Sequence, residues 1–315
     1  MINRRCRRPY RILVATGLVW ALQASLAPLS HAQGLWWRLG QEEEKAFLGG
    51  SVHVGTTSMY PLPDAVMEAF ARADVLVVEI DILDTSIFSV LGLLFREGIY
   101  RDGTTLESHV DPRTWALLQQ TLTRFELPEL MFRWQKPWFA ALNLSMLAFQ
   151  KAGYREELGV DHHFLQAAAA SGKPVVELET VEQQLQLFSR LSAADQEMFL
   201  HQTLLELDQG ARYLDEIIGA WIASDAEALR QLILQQFEED SPESRRLHQL
   251  FIVERNHAMS RAIQALIGDG LTPFVVVGAG HLVGAQGLVD LLRDAGYRVR
   301  PLTASQSSAA EAVSP

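Results

Sequence analysis

FVVVGAGH, residues 274–281, is typical of a buried strand that ends in a Gly-x-x-His turn. The residues that follow predict a helix over 287–295 and a second strand over 297–302. A histidine directly after a strand and a glycine turn lies at the edge of a sheet, where glycine allows close approach of backbone or ligand. The stretch therefore predicts a βαβ unit that presents His281 at a sheet edge.

A second unit with the same order of elements lies near the other end of the chain. AFLGGSVH, residues 46–53, predicts a strand and a Gly-x-x-His turn, followed by a helix over 65–73 and a strand over 75–80. Two units with histidine at the same place indicate a duplicated half. We expect an α/β fold whose central mixed sheet is built from both βαβ halves. His53 and His281 should then share its carboxyl edge, with the two strands of the first unit side by side.

A large, mainly helical insertion over about 112–267 is expected between the two units. Gly-Lys-Pro at 172–174 ends one helix and begins a short strand over 174–178. The α/β domain with this insertion is expected to cover 33–303, before a disordered Ser- and Ala-rich tail over 304–315. The predicted helices cover 112–125, 142–152, 161–171, 180–187, 193–207, 211–223, 225–236 and 242–267.

The first 32 residues have the features of a secretory signal peptide. Five arginines precede an apolar run over 12–22, and Ser30-His31-Ala32 supplies the small-x-small pattern of a cleavage site. The apolar run is shorter than the roughly 20 residues that a membrane span needs. We therefore expect cleavage after Ala32, no stable membrane span in the mature chain, and a periplasmic or extracellular location in a bacterium.

Composition excludes several classes of protein. Removing residues 1–32 removes Cys6, the only cysteine, and so excludes disulfide scaffolds, cysteine nucleophiles and cysteine zinc sites. The mature chain would carry 22 basic and 38 acidic residues, a net charge of about -16, which excludes a basic nucleic-acid surface. The sequence also lacks His-Glu-x-x-His, Gly-x-Ser-x-Gly and phosphate-loop motifs. The glycines over 278–284 lack the later acidic residue that a dinucleotide site needs.

Two carboxylates lie at the end of the second strand of the first unit. Alternation places Glu79 and Asp81 on one face of VLVVEID, residues 75–81. A carboxylate in a buried strand is costly unless it is paired, hydrogen-bonded or bound to metal. Glu79 is therefore a candidate site residue and Asp81 a further one. A salt bridge to a local arginine explains Glu79 equally well. Likewise, either histidine taken alone is explained as a residue that caps the end of a strand.

The helical insertion contributes further candidates. Asp161 precedes His162 and His163 at a helix start, where a role as N-cap explains it fully. Adjacent helix residues point about 100° apart, so at most one of the two histidines would face a given site. Arg255 lies on the long helix before the second unit. It is either part of a solvated face, or it holds a substrate anion or orients Glu79.

Seven stretches of the chain, taken in order, resemble the TraB/PrgY/GumN family. Each is short, but the ordered set extends from about residue 35 to 302. His162 departs from the family pattern, in which other polar residues are common. The stretches are LGGSVHVG (48–55), YPLP (60–63), ARADVLVVE (71–79), GVDHHF (159–164), KPVVELET (173–180), ERN (254–256) and VGAGHLVG (277–284).

The resemblance implies a site of the metalloprotease type, because the related animal Tiki proteins are divalent-metal-dependent proteases. By matching position it implicates one histidine from each turn with a glutamate and an arginine, namely His53, His281, Glu79 and Arg255. Three more residues fall on matching positions to which the resemblance gives no role: Asp161, His163 and Glu179. Asn256, the last residue of the ERN stretch, is a further candidate site residue.

We expect a secreted hydrolase of protease or peptidase type that acts on a peptide or another small acyl substrate. A divalent metal held by His53, His281 and Glu79 or Asp81 would activate water and polarise a carbonyl, while Arg255 stabilises negative charge. Imidazole and carboxylate ligands suit manganese, cobalt or zinc. The alternative is a non-catalytic periplasmic regulatory protein that binds a metal, haem or peptide. Both hypotheses require the two histidine side chains within about 12 Å of each other.

Overall fold

A six-stranded sheet forms the centre of the protein in a computed structural model, which describes residues 34–40, 43–208, 212–234 and 242–302. The expected signal peptide and tail lie outside the described residues. The strands are β1 (Trp36–Leu39), β2 (Ala46–Ser51), β3 (Val75–Val78), β4 (Val175–Glu177), β5 (Pro273–Gly278) and β6 (Val299–Pro301).

The sheet is mixed, as the sequence predicts. Its strand order is β4-β3-β5-β2-β1-β6. The four strands β4, β3, β5 and β2 run parallel, whereas β1 is antiparallel to both β2 and β6. β2 and β3 are buried at every position, as expected of strands in a parallel sheet that is covered on both faces. The carboxyl ends of β2, β3 and β5 therefore meet at one edge.

The two predicted units interleave. β5 lies between β2 and β3, so that Val276 is paired with Gly49 on one side and Val78 on the other. The expected pairing of the two strands of the first unit is therefore wrong, because the strand before Glu79 is adjacent to the strand before His281. The apolar run of β5 suits this central position, since both of its faces are covered. β6 pairs with β1 at the far edge of the sheet.

The helices follow the predicted order with one addition. Helix α2 (Ile87–Gly98) has no counterpart among the predicted helices, because its sequence is apolar on most sides and contains Gly92. Helix α4 (Pro137–Lys151) begins earlier than predicted, since proline is well suited to the first turn of a helix. Apart from the helices of residues 242–268, which are described below, the remaining helices are α1 (Asp64–Arg72), α3 (Pro112–Arg124), α5 (Val160–Ser171), α6 (Val181–Ser189), α7 (Ala193–Asp208), α8 (Arg212–Ile222), α9 (Ala226–Leu234) and α12 (Leu288–Asp294).

The long helix predicted over 242–267 contains a turn of π-helix. Helix α10 (Pro242–His248) is followed by the π turn Gln249–Val253 and then by α11 (Glu254–Gly268). π turns are rare and occur frequently at functional sites. This one directly precedes the segment that carries Arg255. In the described part of the chain, no helix is long and apolar enough to cross a bilayer.

Aromatic packing joins the helical insertion to the sheet. The ring of Phe164 on α5 lies 5.6 Å from Trp36 and 4.8 Å from Phe274, measured between ring centroids. Trp221 on α8 donates a hydrogen bond of 2.7 Å from Nε1 to the carbonyl oxygen of Gly50. Burial of each such side chain stabilises the fold by about 1.5–3 kcal/mol. These contacts hold α5 and α8 against the end of β2, where the first Gly-x-x-His turn begins.

Candidate functional site

The two Gly-x-x-His turns meet at the carboxyl edge of the sheet. Their strands, β2 and β5, are adjacent and parallel, so the turns leave the sheet side by side. A Cβ built on Gly278 would lie 3.2 Å from Glu79 Oε1, 3.4 Å from His53 Nε2 and 3.7 Å from His281 Cδ2. Both histidine rings and the Glu79 carboxylate thus face one point.

His281 is held in one orientation by a buried amide. Asn256 Nδ2 donates a hydrogen bond of 2.7 Å to the carbonyl oxygen of Gln286, so Asn256 Oδ1 faces the histidine. His281 Nδ1 lies 2.6 Å from that oxygen and must carry the proton that it donates. Nε2 of the neutral ring is then unprotonated and faces Glu79. Burial is the main reason that the pKa of His281 is lowered to about 4, so the ring is neutral at pH 7.

His53 has a carboxylate behind it. Its Nδ1 lies 3.0 Å from Asp161 Oδ2, while Asp161 Oδ1 accepts a hydrogen bond of 2.8 Å from Ser51 Oγ. The negative charge of Asp161 raises the pKa of His53 to about 9, against an opposing effect of burial. The His53 side chain is 62% exposed, and solvent will weaken this pairing. Asp161 thus orients the ring so that Nε2 faces the cleft.

The expectation that Asp161 is a helix cap is wrong. Helix α5 begins at Val160, its N-cap is Gly159, and no side chain caps it. The Asp161 carboxylate contacts His53 instead, because the start of α5 abuts the first Gly-x-x-His turn. The backbone N–H of Val160 donates a hydrogen bond of 3.1 Å to the carbonyl oxygen of Val52 and fixes this approach.

Glu79 lies just beyond β3 and is buried and fully hydrogen-bonded. Its Oε1 accepts a bond of 2.6 Å from the N–H of Gly278, and its Oε2 accepts bonds from Arg255 and Gln184 at 2.6 and 3.0 Å. Burial opposes ionisation, but it is outweighed by the positive charge of His281 where that ring is protonated, below about pH 4, and by the charges of His53 and Arg255. Together they lower the pKa of Glu79 to about 2. The side chain is an anion with little capacity to act as a base.

Arg255 holds two carboxylates at once. Its Nε and Nη2 donate in parallel to the two oxygens of Glu179, both at 2.7 Å, and Nη2 also donates to Glu79 at 2.6 Å. Nη1 donates to the carbonyl oxygen of Phe251 in the π turn. Of the two functional roles predicted for Arg255, this geometry favours orientation of Glu79, since most donors of the guanidinium are engaged.

The structure does not bring two of the candidates to this site. Asp81 lies beyond the end of β3, where alternation no longer applies, and its Oδ1 accepts from the N–H groups of Leu83 and Asp84 in a local turn. His163 packs against Tyr60, with 5.1 Å between ring centroids, and neither it nor His162 lines the cleft.

Two contributors were not predicted. Ser51 lies inside the first Gly-x-x-His stretch and donates to Asp161, which a single sequence does not reveal. Gln184 on α6 donates from Nε2 to both Glu79 and Glu179, at 3.0 and 2.9 Å. No local pattern distinguishes Gln184 from its neighbours on that helix, so only the tertiary fold identifies it.

The donor chemistry at this edge fits a divalent metal. Two imidazole nitrogens face the cleft, each with its other nitrogen held by an oxygen acceptor, as is usual for histidines that bind metals. His281 Nε2 and Glu79 Oε1 are 3.9 Å apart, close to the roughly 3–4 Å between two ligands of one ion. Within the described ranges, however, no group of three His, Cys, Asp or Glu side chains is already arranged to hold an ion. Ion binding therefore requires side-chain adjustment.

The fold and the site define a class of α/β protein in which a cleft at the carboxyl edge of the sheet contains a pair of histidines. A model of the TraB/PrgY/gumN family matches residues 35–301, and the chain belongs to that family. This agrees with the resemblance seen in the sequence.

Several curated proteins are similar to the chain. YbaP of Escherichia coli is 29% identical over 244 residues, which cover 78% of this chain and 86% of YbaP. Two zebrafish (Danio rerio) proteins are more distant. Metalloprotease TIKI1 is 23% identical over 89% of this chain and 65% of its own length, and Metalloprotease TIKI2 is 24% identical over 81% and 58%. No solved structure is significantly similar to the chain.

Proposed function

We propose that this chain is an exported, divalent-metal-dependent hydrolase of the peptidase type. One observation carries the proposal: the outward nitrogens of His53 and His281 converge beside Glu79, while their other nitrogens are held by Asp161 and Asn256. Oxygen partners of this kind fix the tautomer of a ligating histidine and make it more basic. The distant similarity to two metalloproteases supports the same reaction class.

Charge balance in the cleft supports a cation as its occupant. The carboxylates of Glu79 and Glu179 share one guanidinium, that of Arg255, whereas Asp161 faces His53 and His281 is neutral. The remaining negative charge raises the proton affinity of His53. A divalent ion would compensate the same charge, and deprotonated ligands are what such an ion requires.

Each residue has a separate task in this proposal. His53 and His281 would hold the ion, with Glu79 beside them, and the ion would supply activation of water and polarisation of a carbonyl. Asp161 and Asn256 orient the two rings. Arg255 is a positioning residue, because it holds the Glu79 carboxylate against the N–H of Gly278.

The proposal includes export of the mature chain after cleavage behind Ala32. N-terminal sequencing of protein recovered from the periplasm or medium tests this part separately. A mature chain that begins elsewhere, or protein that is retained in the cytoplasm, would contradict it.

Metal titration tests the central claim. We expect the purified chain to bind one manganese, cobalt or zinc ion, as measured by calorimetry and elemental analysis, and to hydrolyse peptides only when loaded. His53→Ala and His281→Ala should each weaken binding by more than about 100-fold, since each removes a ligand. No stoichiometric metal, together with unchanged affinity in both variants, would end the proposal.

A non-catalytic binding protein is the second candidate. One observation favours it: both oxygens of Glu79 are already hydrogen-bonded, by Gly278, Arg255 and Gln184, so Glu79 is not free to act as a base beside the histidines. Such a protein would retain a metal, haem or peptide tightly and would turn over no member of a broad panel of peptides and esters.

A further inference from the structure

Two mainly apolar cavities adjoin His53, and one of them also adjoins His281. The first, which we call the helical chamber, has a volume of about 320 Å³ and is lined by helices of the insertion. The second, which we call the sheet chamber, has a volume of about 250 Å³ and opens along the ends of β3 and β5. The apolar lining of the helical chamber comprises Leu187, Phe188, Ile217, Ile233, Phe251 and Ile252, and that of the sheet chamber includes Val54, Ile80, Ile82 and Met146.

The polar centre of the site lies at the boundary between the two chambers. His53, Glu79 and Gln184 line both of them. A ligand that occupies both chambers must therefore pass directly over His53, with His281 on the side of the helical chamber. An extended peptide advances by roughly 3.3–3.6 Å per residue, so neighbouring residues can place their side chains on either side of such a centre.

The lining of the chambers disfavours an anionic ligand. Among the described residues that line them, Arg255 is the only arginine or lysine, and its guanidinium is engaged by Glu79 and Glu179. Apolar side chains dominate both walls, and pockets of this kind bind by burial of apolar surface with a few polar groups for orientation.

We propose that the substrate is an extended peptide with an apolar side chain on each side of the bond placed at His53 and His281. This inference rests on the proposed function and adds the substrate class and the residues that select it. The helical chamber, the larger of the two, takes the bulkier side chain. Phe188 and Ile217 would contact it there, while Ile82 and Met146 would contact the side chain on the other side of the bond.

Peptide cleavage provides the first measurement. The mature chain, loaded with manganese, cobalt or zinc in turn, is given internally quenched peptides that carry Phe, Leu, Gly or Glu at each position beside the cleaved bond. Because a single methylene in an apolar pocket can change kcat/KM by roughly 10–200-fold, we expect Phe or Leu to exceed Gly and Glu by at least about 10-fold. Mass spectrometry locates the cleaved bond.

Three matched substitutions assign the two chambers. Ile217→Glu puts a carboxylate in the helical chamber, and Met146→Glu puts one in the sheet chamber at a side chain that is 39% exposed. Leu205→Glu is the control, because Leu205 is 42% exposed and lines neither chamber. Ile217→Glu should remove the apolar preference on one side of the bond and Met146→Glu on the other, while Leu205→Glu changes neither.

Binding to metal-free protein separates this inference from the proposed function. The same peptides, labelled for fluorescence anisotropy, should bind at least about 10-fold more tightly with Phe than with Gly. If no peptide is cleaved, but the Phe peptide binds more tightly than the Gly peptide and Ile217→Glu removes this difference, the proposed hydrolase activity is overturned. The proposed binding of apolar side chains in the chambers is then supported. Cleavage without side-chain preference would overturn the chambers and leave the hydrolase. Equal binding of Phe and Gly peptides would overturn the inference in either case.

Discussion

Gly278→Ala is the substitution that tests the proposed site most directly. The backbone at Gly278 has φ -49° and ψ 134°, which any L-residue can adopt. The added methyl group would lie 3.2 Å from Glu79 Oε1 and 3.4 Å from His53 Nε2, at the point that both histidines face. The substitution therefore obstructs the site without straining the backbone, and it requires only a small shift of the Glu79 side chain.

The two effects of Gly278→Ala differ in size. A glycine replaced by alanine at an allowed φ typically changes stability by no more than about 1 kcal/mol. An ion about 2.1 Å from the imidazole nitrogens cannot share that space with a methyl group. We expect metal affinity to fall at least about 100-fold, or about 2.7 kcal/mol, which exceeds the change in the free energy of unfolding.

Calorimetric metal titration and chemical denaturation measure these two quantities on the same protein. Gly268→Ala is the matched control, because a Cβ there meets no atom within 4 Å. It should leave metal affinity unchanged. A Gly278→Ala protein that is as stable as the parent and binds metal equally well would refute the idea that His53, His281 and Glu79 share one ion.

Three more predictions concern single side chains. Asn256→Leu leaves His281 Nδ1 without its buried acceptor, so metal affinity measured by calorimetry should fall by about 10–100-fold; an unchanged affinity would contradict the orienting role. Arg255→Lys removes the parallel hydrogen bonds to Glu179 and should lower the free energy of unfolding, measured in urea, by about 1–3 kcal/mol. An unchanged free energy of unfolding would contradict a stabilising role of the Arg255–Glu179 pair. Burial raises the pKa of Glu206 from 4.5 to about 7, so its folded form binds more protons and the parent loses stability as pH rises through that window. The Glu206→Gln variant should have the same free energy of unfolding as the parent below pH 4.5 and a value up to about 3 kcal/mol higher at pH 8, as measured by denaturation. Equal values for variant and parent at both pH values would contradict the raised pKa of Glu206.

Local patterns predict the parts of this fold that carry the histidines. The apolar runs before Gly50 and Gly278 are β2 and β5, and the helices and strands after them lie close to their predicted bounds. Period-two and helical patterns act over a few residues, so one sequence suffices to find them. Strand order is different, because it depends on which distant strands pair. The central position of β5 was therefore not predicted. The short strand β1 was not predicted either.

The partners of the histidines illustrate the same limit at the level of side chains. A carboxylate in the first turn of α5 satisfies the local pattern of a cap, and nothing nearby indicates that His53, 108 positions away, is its partner. The decisive feature is Gly159, where a Cβ would lie 2.6 Å from the carbonyl oxygen of His53. A larger residue would push the start of α5 away from the turn and separate Asp161 from the imidazole. In GVD, residues 159–161, the glycine permits the contact and the aspartate makes it, which explains both residues together as parts of the histidine site.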